Sequence, residues 1–193
     1  MTVAASKINR AWARVLVPLA GMAEDAGPLS AGASVARALE AELAVSFTPA
    51  DISELAPWIG DGFVGGGAPV AALDLLREAT AEGLGTAREQ FDSVTYGGKS
   101  FVTLEPPIGA ALGLESRLAD LVVFGSPAAG RGISPLGDAF RQVLAHEQRP
   151  VLVADGPVAV GELVAVAWDG GKEATRAART ALLSCSDRAR WWS

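Results

Sequence analysis

Short apolar runs alternate with apolar stripes of helical spacing along most of this chain. Five mostly hydrophobic runs predict strands that are buried on both faces. These runs are residues 15–17, 43–47, 101–104, 121–124 and 151–153. Between them, apolar side chains recur every three or four residues, which predicts helices. The predicted helices cover residues 29–43, 70–93, 108–118 and 138–146.

The alternation of strands and helices predicts an α/β fold. Strands buried on both faces are typical of parallel sheets, in which right-handed crossovers place helices on each side. We therefore expect one complete domain over residues 14–154, preceded by an N-terminal extension, residues 1–13. Residues 50–67 are rich in Gly and Pro and predict an irregular, mobile connection before the second helix.

A second copy of the first strand and helix follows this domain. Residues 15–21 align with residues 164–170, and Glu24 then falls on Glu173. After a linker, residues 155–162, the chain therefore predicts a partial repeat, residues 163–193. One strand and one helix cannot bury their own apolar faces. The repeat is either a C-terminal extension that caps the sheet or the start of a second domain that has been cut short.

Charge and composition restrict the classes of function. The net charge of −6 and the pI near 4.8 argue against a nucleic-acid partner, because phosphate binding needs clustered cations. Cys185 and His146 are alone of their kinds, so the sequence offers no disulfide within one chain and no Cys/His metal cluster. A reducing cytoplasm fits this cysteine usage. No apolar run is long enough to cross a membrane, so we expect a soluble protein.

Four segments carry a resemblance to a known family. They are the opening motif at residues 15–18, the fourth strand and its loop at residues 120–126, the turn at residues 130–132 and the closing run at residues 143–153. Through these segments the chain resembles the universal stress proteins, and in particular their tandem bacterial form. The resemblance implies a five-stranded parallel sheet of strand order 3-2-1-4-5. It also implies homodimers or tandem pairs that are joined near the fifth strand.

The resemblance further implies where a nucleotide would bind. ATP-binding members carry an Asp shortly after the first strand, which contacts the adenosine, and a glycine-rich phosphate loop after the fourth strand. Glycines allow the backbone to approach phosphate, and the helix that follows presents free N–H groups to the anion. The corresponding positions here are Pro18, Ala20, Gly125, Gly130, Arg131, Gly132, Gly137 and Asp138, with Asp169 in the partial repeat.

Several of these positions depart from the ATP-binding pattern. Ala20 stands in place of the adenosine-contacting Asp, and Pro127 stands where the loop spacing calls for a glycine. Asp138 follows the last glycine and is predicted to be the N-cap of its helix, where it would repel phosphate. Asp169 keeps the Asp that the first repeat lacks, but only half of a second site accompanies it. We therefore predict a degenerate site.

The sequence offers no catalytic constellation, so an enzymatic role is not favoured. Ser126 lacks a base, since His146 lies at the far end of the following helix. Glu24 and Asp25 lack the further Asp and Lys of a phosphoacceptor metal site and are predicted to cap the first helix. The glycine-rich loop also lacks the ending of a Walker motif.

Two functional hypotheses follow. In the first, the protein is a stress-response regulatory protein with a degenerate nucleotide site, without metal or other cofactor, that acts through association with protein partners. In the second, it binds ATP, uses residues 125–137 as the phosphate cradle and hydrolyses the nucleotide slowly. Ala20 and Asp138 favour the first hypothesis, so ATP binding is expected to be weak or absent.

Overall fold

The computed structural model describes residues 12–49, 68–130, 134–159, 169 and 171–184. Five strands form one parallel sheet in the order β3-β2-β1-β4-β5. The strands are β1 (Arg14–Leu19), β2 (Glu42–Phe47), β3 (Lys99–Thr103), β4 (Leu121–Phe124) and β5 (Val151–Val153). The predicted fold class, including the strand order, is confirmed.

Helices connect successive strands and cover both faces of the sheet. They are α1 (Ala26–Leu39), α2 (Ala68–Ser93), α3 (Ile108–Arg117), the short α4 (Ser126–Ala129) and α5 (Gly137–Arg141). A π-helical turn, Gln142–His146, extends α5 as far as the approach to β5. A further helix, α6 (Lys172–Ser184), follows the sheet in the chain.

The central strand β1 is apolar because it is covered on both faces. Successive side chains of a strand point to opposite faces. Val15 and Val17 therefore join one apolar cluster with α1 and α2, whereas Leu16 joins a second cluster with α3 and α5. Val15 lies opposite Leu43 of β2 and Leu121 of β4. The core thus consists of two layers that share the sheet.

Helix α1 approaches the sheet closely and ends earlier than its apolar stripe suggests. A Cβ atom at Gly32 would lie 2.4 Å from Cγ2 of Val17, so the glycine permits this close packing. The helix ends at Leu39, and Glu40 takes a left-handed conformation with φ of 52°. Leu43, which continues the helical spacing in the sequence, therefore lies in β2 and not in α1.

Some predicted features lie outside the described residues. They include the connection at residues 50–67, nearly all of the N-terminal extension and the strand of the partial repeat. Helix α6 forms where the helix of that repeat is predicted. The domain boundaries remain predictions. Within the described ranges, no helix is both long enough and apolar enough to cross a bilayer.

Candidate functional site

The chain reverses its direction of winding between β1 and β4. After β1 it moves to β2 on one side, and after β4 it moves to β5 on the other side. The loops that leave these two neighbouring strands therefore diverge and flank a crevice at the carboxyl edge of the sheet. In doubly wound α/β folds, ligands bind in this position. We call it the switch-point crevice.

The loop after β1 is closed by its own carboxylate. Gly21 has φ of 83°, and this turn directs the N–H groups of Gly21 and Met22 towards Asp25. Oδ2 of Asp25 accepts hydrogen bonds from these two groups at 2.7 and 2.9 Å. The Asp25 side chain is buried, and burial raises its pKa above the ordinary value although the backbone hydrogen bonds oppose that shift.

Helix α2 packs directly on this loop. A Cβ atom at Gly21 would lie 2.2 Å from the backbone oxygen of Gly83 in α2, so only a glycine fits at this contact. About two turns further along α2, Nε2 of Gln90 donates a hydrogen bond to the backbone oxygen of Met22 at 2.8 Å. These contacts fix the loop against α2.

The loop after β4 is closed by a second acid. Oδ1 of Asp155 accepts a hydrogen bond from the backbone N–H of Ser126 at 2.8 Å. Hydrogen bonds from the hydroxyl and backbone N–H groups of Ser126 lower the pKa of Asp155 below its ordinary value. The N–H groups of Ala128 and Gly130 donate to the backbone oxygens of Gly125 and Ser126. These loop donors are therefore satisfied within the chain.

Asp155 belongs to a segment that crosses the carboxyl edge of the sheet. After β5, Ala154 donates its N–H to the backbone oxygen of Phe124, at the end of β4. The backbone of Asp155 then passes the start of α1 so closely that a Cβ atom at Gly27 would lie 2.6 Å from its oxygen. Val158 packs on the apolar cluster beneath α1. We call residues 154–158 the crossing segment.

The predicted site residues of the first loop lie at or beside this crevice. Pro18 is buried in β1, opposite Ser46 of β2, and so forms part of the sheet. Ala20 is the first residue after β1 and is half-buried. Its backbone oxygen would lie 3.3 Å from a Cβ atom at Gly83. The position that the sequence assigns to the adenosine contact therefore lies directly after β1 and carries only a methyl group.

The residues of the predicted phosphate loop are only partly brought together. Gly125 follows β4 and lies beside Asp155, since a Cβ atom at Gly125 would lie 3.3 Å from Oδ1 of that residue. Gly130 follows α4, and Gly137 begins α5. Arg131 and Gly132 lie outside the described residues.

The prediction that Asp138 is a helix N-cap is wrong. The residue lies inside the first turn of α5, and its carboxylate accepts no capping hydrogen bond. It is exposed and pairs with Arg141, three residues later on the same helix. Ser134, two residues before the N-cap Leu136, accepts the N–H groups of Leu136 and Gly137 with its side-chain and backbone oxygens. Asp138 therefore leaves the start of α5 unblocked.

The predicted capping role of Asp25 is confirmed for the 3₁₀ turn, Ala23–Asp25, that leads into α1, because the Asp25 side chain accepts the N–H of Met22, the residue that precedes this turn. Asp25 precedes α1 but accepts no N–H group of that helix. Its carboxylate turns back to Gly21 and Met22 instead. Glu24 is exposed.

Asp169 forms a local turn within the segment that is predicted to be a partial repeat. Its Oδ1 accepts the N–H of Gly171 at 2.7 Å, immediately before α6. Thr175 donates its hydroxyl proton to the backbone oxygen of Gly171 at 2.9 Å, which strengthens the first turn of α6. The strand that would precede Asp169 lies outside the described residues.

The sequence pattern did not predict that Asp155 accepts a hydrogen bond from the loop after β4, because Asp155 falls in the predicted linker. The available signal was an acid two residues after an apolar run, at the edge where loops of a parallel sheet converge. Among the described residues, no group of three His, Cys, Asp or Glu side chains is placed to hold a metal ion. The chemistry of the crevice is therefore that of backbone donors and two carboxylates.

Several solved structures have a fold similar to that of this chain, among them the following two. No protein-family profile matches the chain, and no curated protein matches it. The crystal structure of a universal stress protein in complex with cAMP shares 18% identity, with 74% of this chain and 95% of that chain covered and a TM-score of 0.40. The crystal structure of a hypothetical protein shares 15% identity, with 76% and 98% covered and a TM-score of 0.36. Likeness at this level is limited to the fold.

Proposed function

We propose that this chain is a regulatory protein of the universal stress protein type, with a degenerate nucleotide site, that acts by association with other proteins. The sequence motifs and the sheet order support the type. The single observation that carries the degenerate site is the hydrogen bond from the Ser126 N–H to Asp155. It occupies a donor at the switch-point crevice with a carboxylate from the chain itself.

A tethered carboxylate opposes a phosphate in two ways. A phosphate that used the Ser126 N–H would first have to displace Asp155, which the crossing segment holds beside Gly27. The same phosphate would then meet the displaced negative charge at short range, and like charges repel. The same argument holds for the N–H groups of Gly21 and Met22. Both donate to the Asp25 carboxylate, which a phosphate would have to displace.

Ala20 weakens adenosine binding at the other end of the site, and this effect does not depend on Asp155 or Asp25. The methyl group of Ala20 offers no acceptor for the ribose or the base. We propose that Asp169 marks the corresponding position of a second unit, which residues 163–193 begin. The turn at Gly171 and helix α6 support this repeat.

Calorimetric titration with ATP and Mg²⁺ tests the proposal. We expect no saturable heat with the unchanged protein. Asp155→Ala frees the Ser126 donor, and Ala20→Asp restores an acid at the adenosine position, so the double variant should bind ATP. Asp138→Ala is the matched control. It removes an exposed acid of the same region that accepts no N–H group of the crevice, so this variant should give the same heats as the unchanged protein.

The outcomes separate the two hypotheses. Micromolar binding of ATP by the unchanged protein would overturn the degenerate site and favour the ATP-binding alternative. No binding by a double variant that unfolds at the same temperature as the unchanged protein would show that Asp155 is not what closes the site. Circular dichroism during heating supplies that comparison.

We further propose that the edge strand β5 is the surface of self-association. Among the described strands, β5 pairs only with β4, and Val153 at its end is 42% exposed. Unpaired edges of sheets are templates for another chain. Sedimentation velocity should show a dimer that Val153→Lys converts to monomer. Thr103→Lys, on the opposite edge strand, is the control and should leave the dimer intact; an unaltered dimer with Val153→Lys would refute this surface.

A further inference from the structure

A groove separates α1 from the last turns of α2. Its volume is about 450 Å³, and it lies on the helical layer, apart from the crevice donors. The floor is apolar, since Leu29 and Ala33 are 2% and 5% exposed. The walls carry the polar side chains Ser30, Ser34, Arg37, Gln90, Ser93 and Thr95. The small side chains on this face of α1 leave the space between the helices unfilled. We call it the α1–α2 groove.

Arg37 holds a positive charge at one end of this groove. Its Nη2 donates a hydrogen bond to the backbone oxygen of Thr95 at 3.0 Å, and its guanidinium lies 5.8 Å from the centre of the Tyr96 ring. These contacts fix the side chain, but a guanidinium has five N–H donors and can serve an anion as well. No Asp or Glu is among the described residues that line the groove. The groove is therefore suited to an anion.

Gln90 supplies an unused acceptor further along the groove. Its Nε2 donates to the backbone oxygen of Met22, whereas Oε1 is buried and has no donor among the described residues. A buried acceptor without a partner is unfavourable, and nearly all such atoms in folded proteins are satisfied. The terminal torsion of a Gln side chain is soft. A donor in the groove can reach Oε1 only if the amide rotates, which also releases the hydrogen bond from Nε2 to Met22.

We propose that the α1–α2 groove binds a small organic carboxylate that carries an N–H donor at its other end. The carboxylate pairs with Arg37, the N–H donates to Gln90, and the chain between them lies on Leu29 and Ala33. Helix geometry puts Gln90 and Thr95 roughly 8–11 Å apart along the groove, which sets the length of the ligand. The groove adjoins the crossing segment, since Pro157 also lines it, but the proposed ligand uses none of the crevice donors and does not rest on the function proposed above.

Straight-chain amino acids with a terminal amine are suitable probes. Aminohexanoate and aminooctanoate bracket the required length. Two-dimensional NMR of the side-chain amide of Gln90 and the backbone amides of Ser30 and Ser34 should show saturable shifts. We expect a dissociation constant of about 1–5 mM, the range for a ligand of this size. Octanoate lacks the donor and octylamine lacks the anion, so each should bind about tenfold more weakly than aminooctanoate.

Matched variants decide whether the shifts arise in this groove. Arg37→Gln should weaken aminooctanoate about tenfold, whereas Arg77→Gln removes an exposed Arg of α2 outside the groove and should change nothing. Gln90→Leu should abolish the preference for aminooctanoate over octanoate. Equal binding by the unchanged protein and the Arg37→Gln variant, equal binding of octylamine and aminooctanoate, or no saturable shift at the Gln90 amide would each overturn the proposal.

Discussion

Replacement of Gly21 by Ala tests the contact that joins the loop after β1 to α2. The added Cβ atom would lie 2.2 Å from the backbone oxygen of Gly83 and 2.4 Å from its carbonyl carbon and Cα atom. Backbone atoms of a helix cannot rotate away, so either α2 or the loop has to shift. Gly21 also has φ of 83°, a conformation that L side chains rarely adopt.

The expected loss combines two costs. A left-handed conformation costs a non-glycine residue about 1–2 kcal/mol. Overpacking of a well-packed contact costs a further 1–3 kcal/mol or so. Alanine also restricts the unfolded chain, which offsets this loss by about 0.4–1 kcal/mol. The free energy of unfolding should therefore fall by about 1–4.5 kcal/mol, a large share of the total for a domain of this size.

Urea unfolding followed by circular dichroism measures this loss. Gly85→Ala is the matched control, because Gly85 lies in the same helix and a Cβ atom there would meet nothing within 4 Å. Alanine in a helix interior is more favourable than glycine, so this control should gain about 0.5–1 kcal/mol. A loss of less than about 0.5 kcal/mol for Gly21→Ala would show that α2 does not press on the loop.

Three further predictions concern single side chains. The pKa of Asp25 is raised in the folded state, so the free energy of unfolding should fall as pH rises from about 3.8 through that raised pKa. Asp25→Asn should remove this dependence on pH, which urea unfolding at a series of pH values measures. Because the pKa of Asp155 is lowered in the folded state, its contribution to stability should be present above about pH 3.8 and vanish as pH falls through the folded pKa. The free energy of unfolding of Asp155→Ala should therefore match that of the unchanged protein only in acid. Tyr96→Phe removes the hydrogen bond from the Tyr96 hydroxyl to the backbone oxygen of Ala41 and should cost about 1 kcal/mol in thermal unfolding, with Tyr96→Leu costing more.

The fold was predictable because burial on both faces leaves a direct mark on composition. The run Leu121–Phe124 contains no polar residue, and every one of its side chains is buried in the sheet. Helix ends were less predictable. Leu43 continues the apolar spacing of α1, yet the left-handed Glu40 ends the helix and Leu43 enters β2. Periodicity does not distinguish the last turn of a helix from the first residues of a buried strand.

The sequence assigned the acid beside the phosphate loop to Asp138, whereas the acid that accepts a loop N–H group in the structure is Asp155. The sequence shows that Asp138 follows a glycine at a helix start, but not which residue precedes the first turn or where the carboxylate points. The bond between Asp155 and Ser126 joins residues 29 positions apart, and it depends on the path of the crossing segment beside Gly27. Local patterns report the residue types that can cap a helix, whereas contacts of this kind arise from tertiary structure.

The two acids of the crevice respond differently to pH because their surroundings differ. Asp25 is buried, so its charged form is disfavoured and its pKa is raised. Asp155 is exposed and receives two hydrogen bonds from Ser126, so its charged form is favoured and its pKa is lowered. As pH falls, Asp25 therefore becomes neutral first, while Asp155 still carries its charge. Below the folded pKa of Asp25 and above that of Asp155, an anion that approaches the crevice meets Asp155 as the remaining negative charge of the pair, and Asp155→Ala removes that charge.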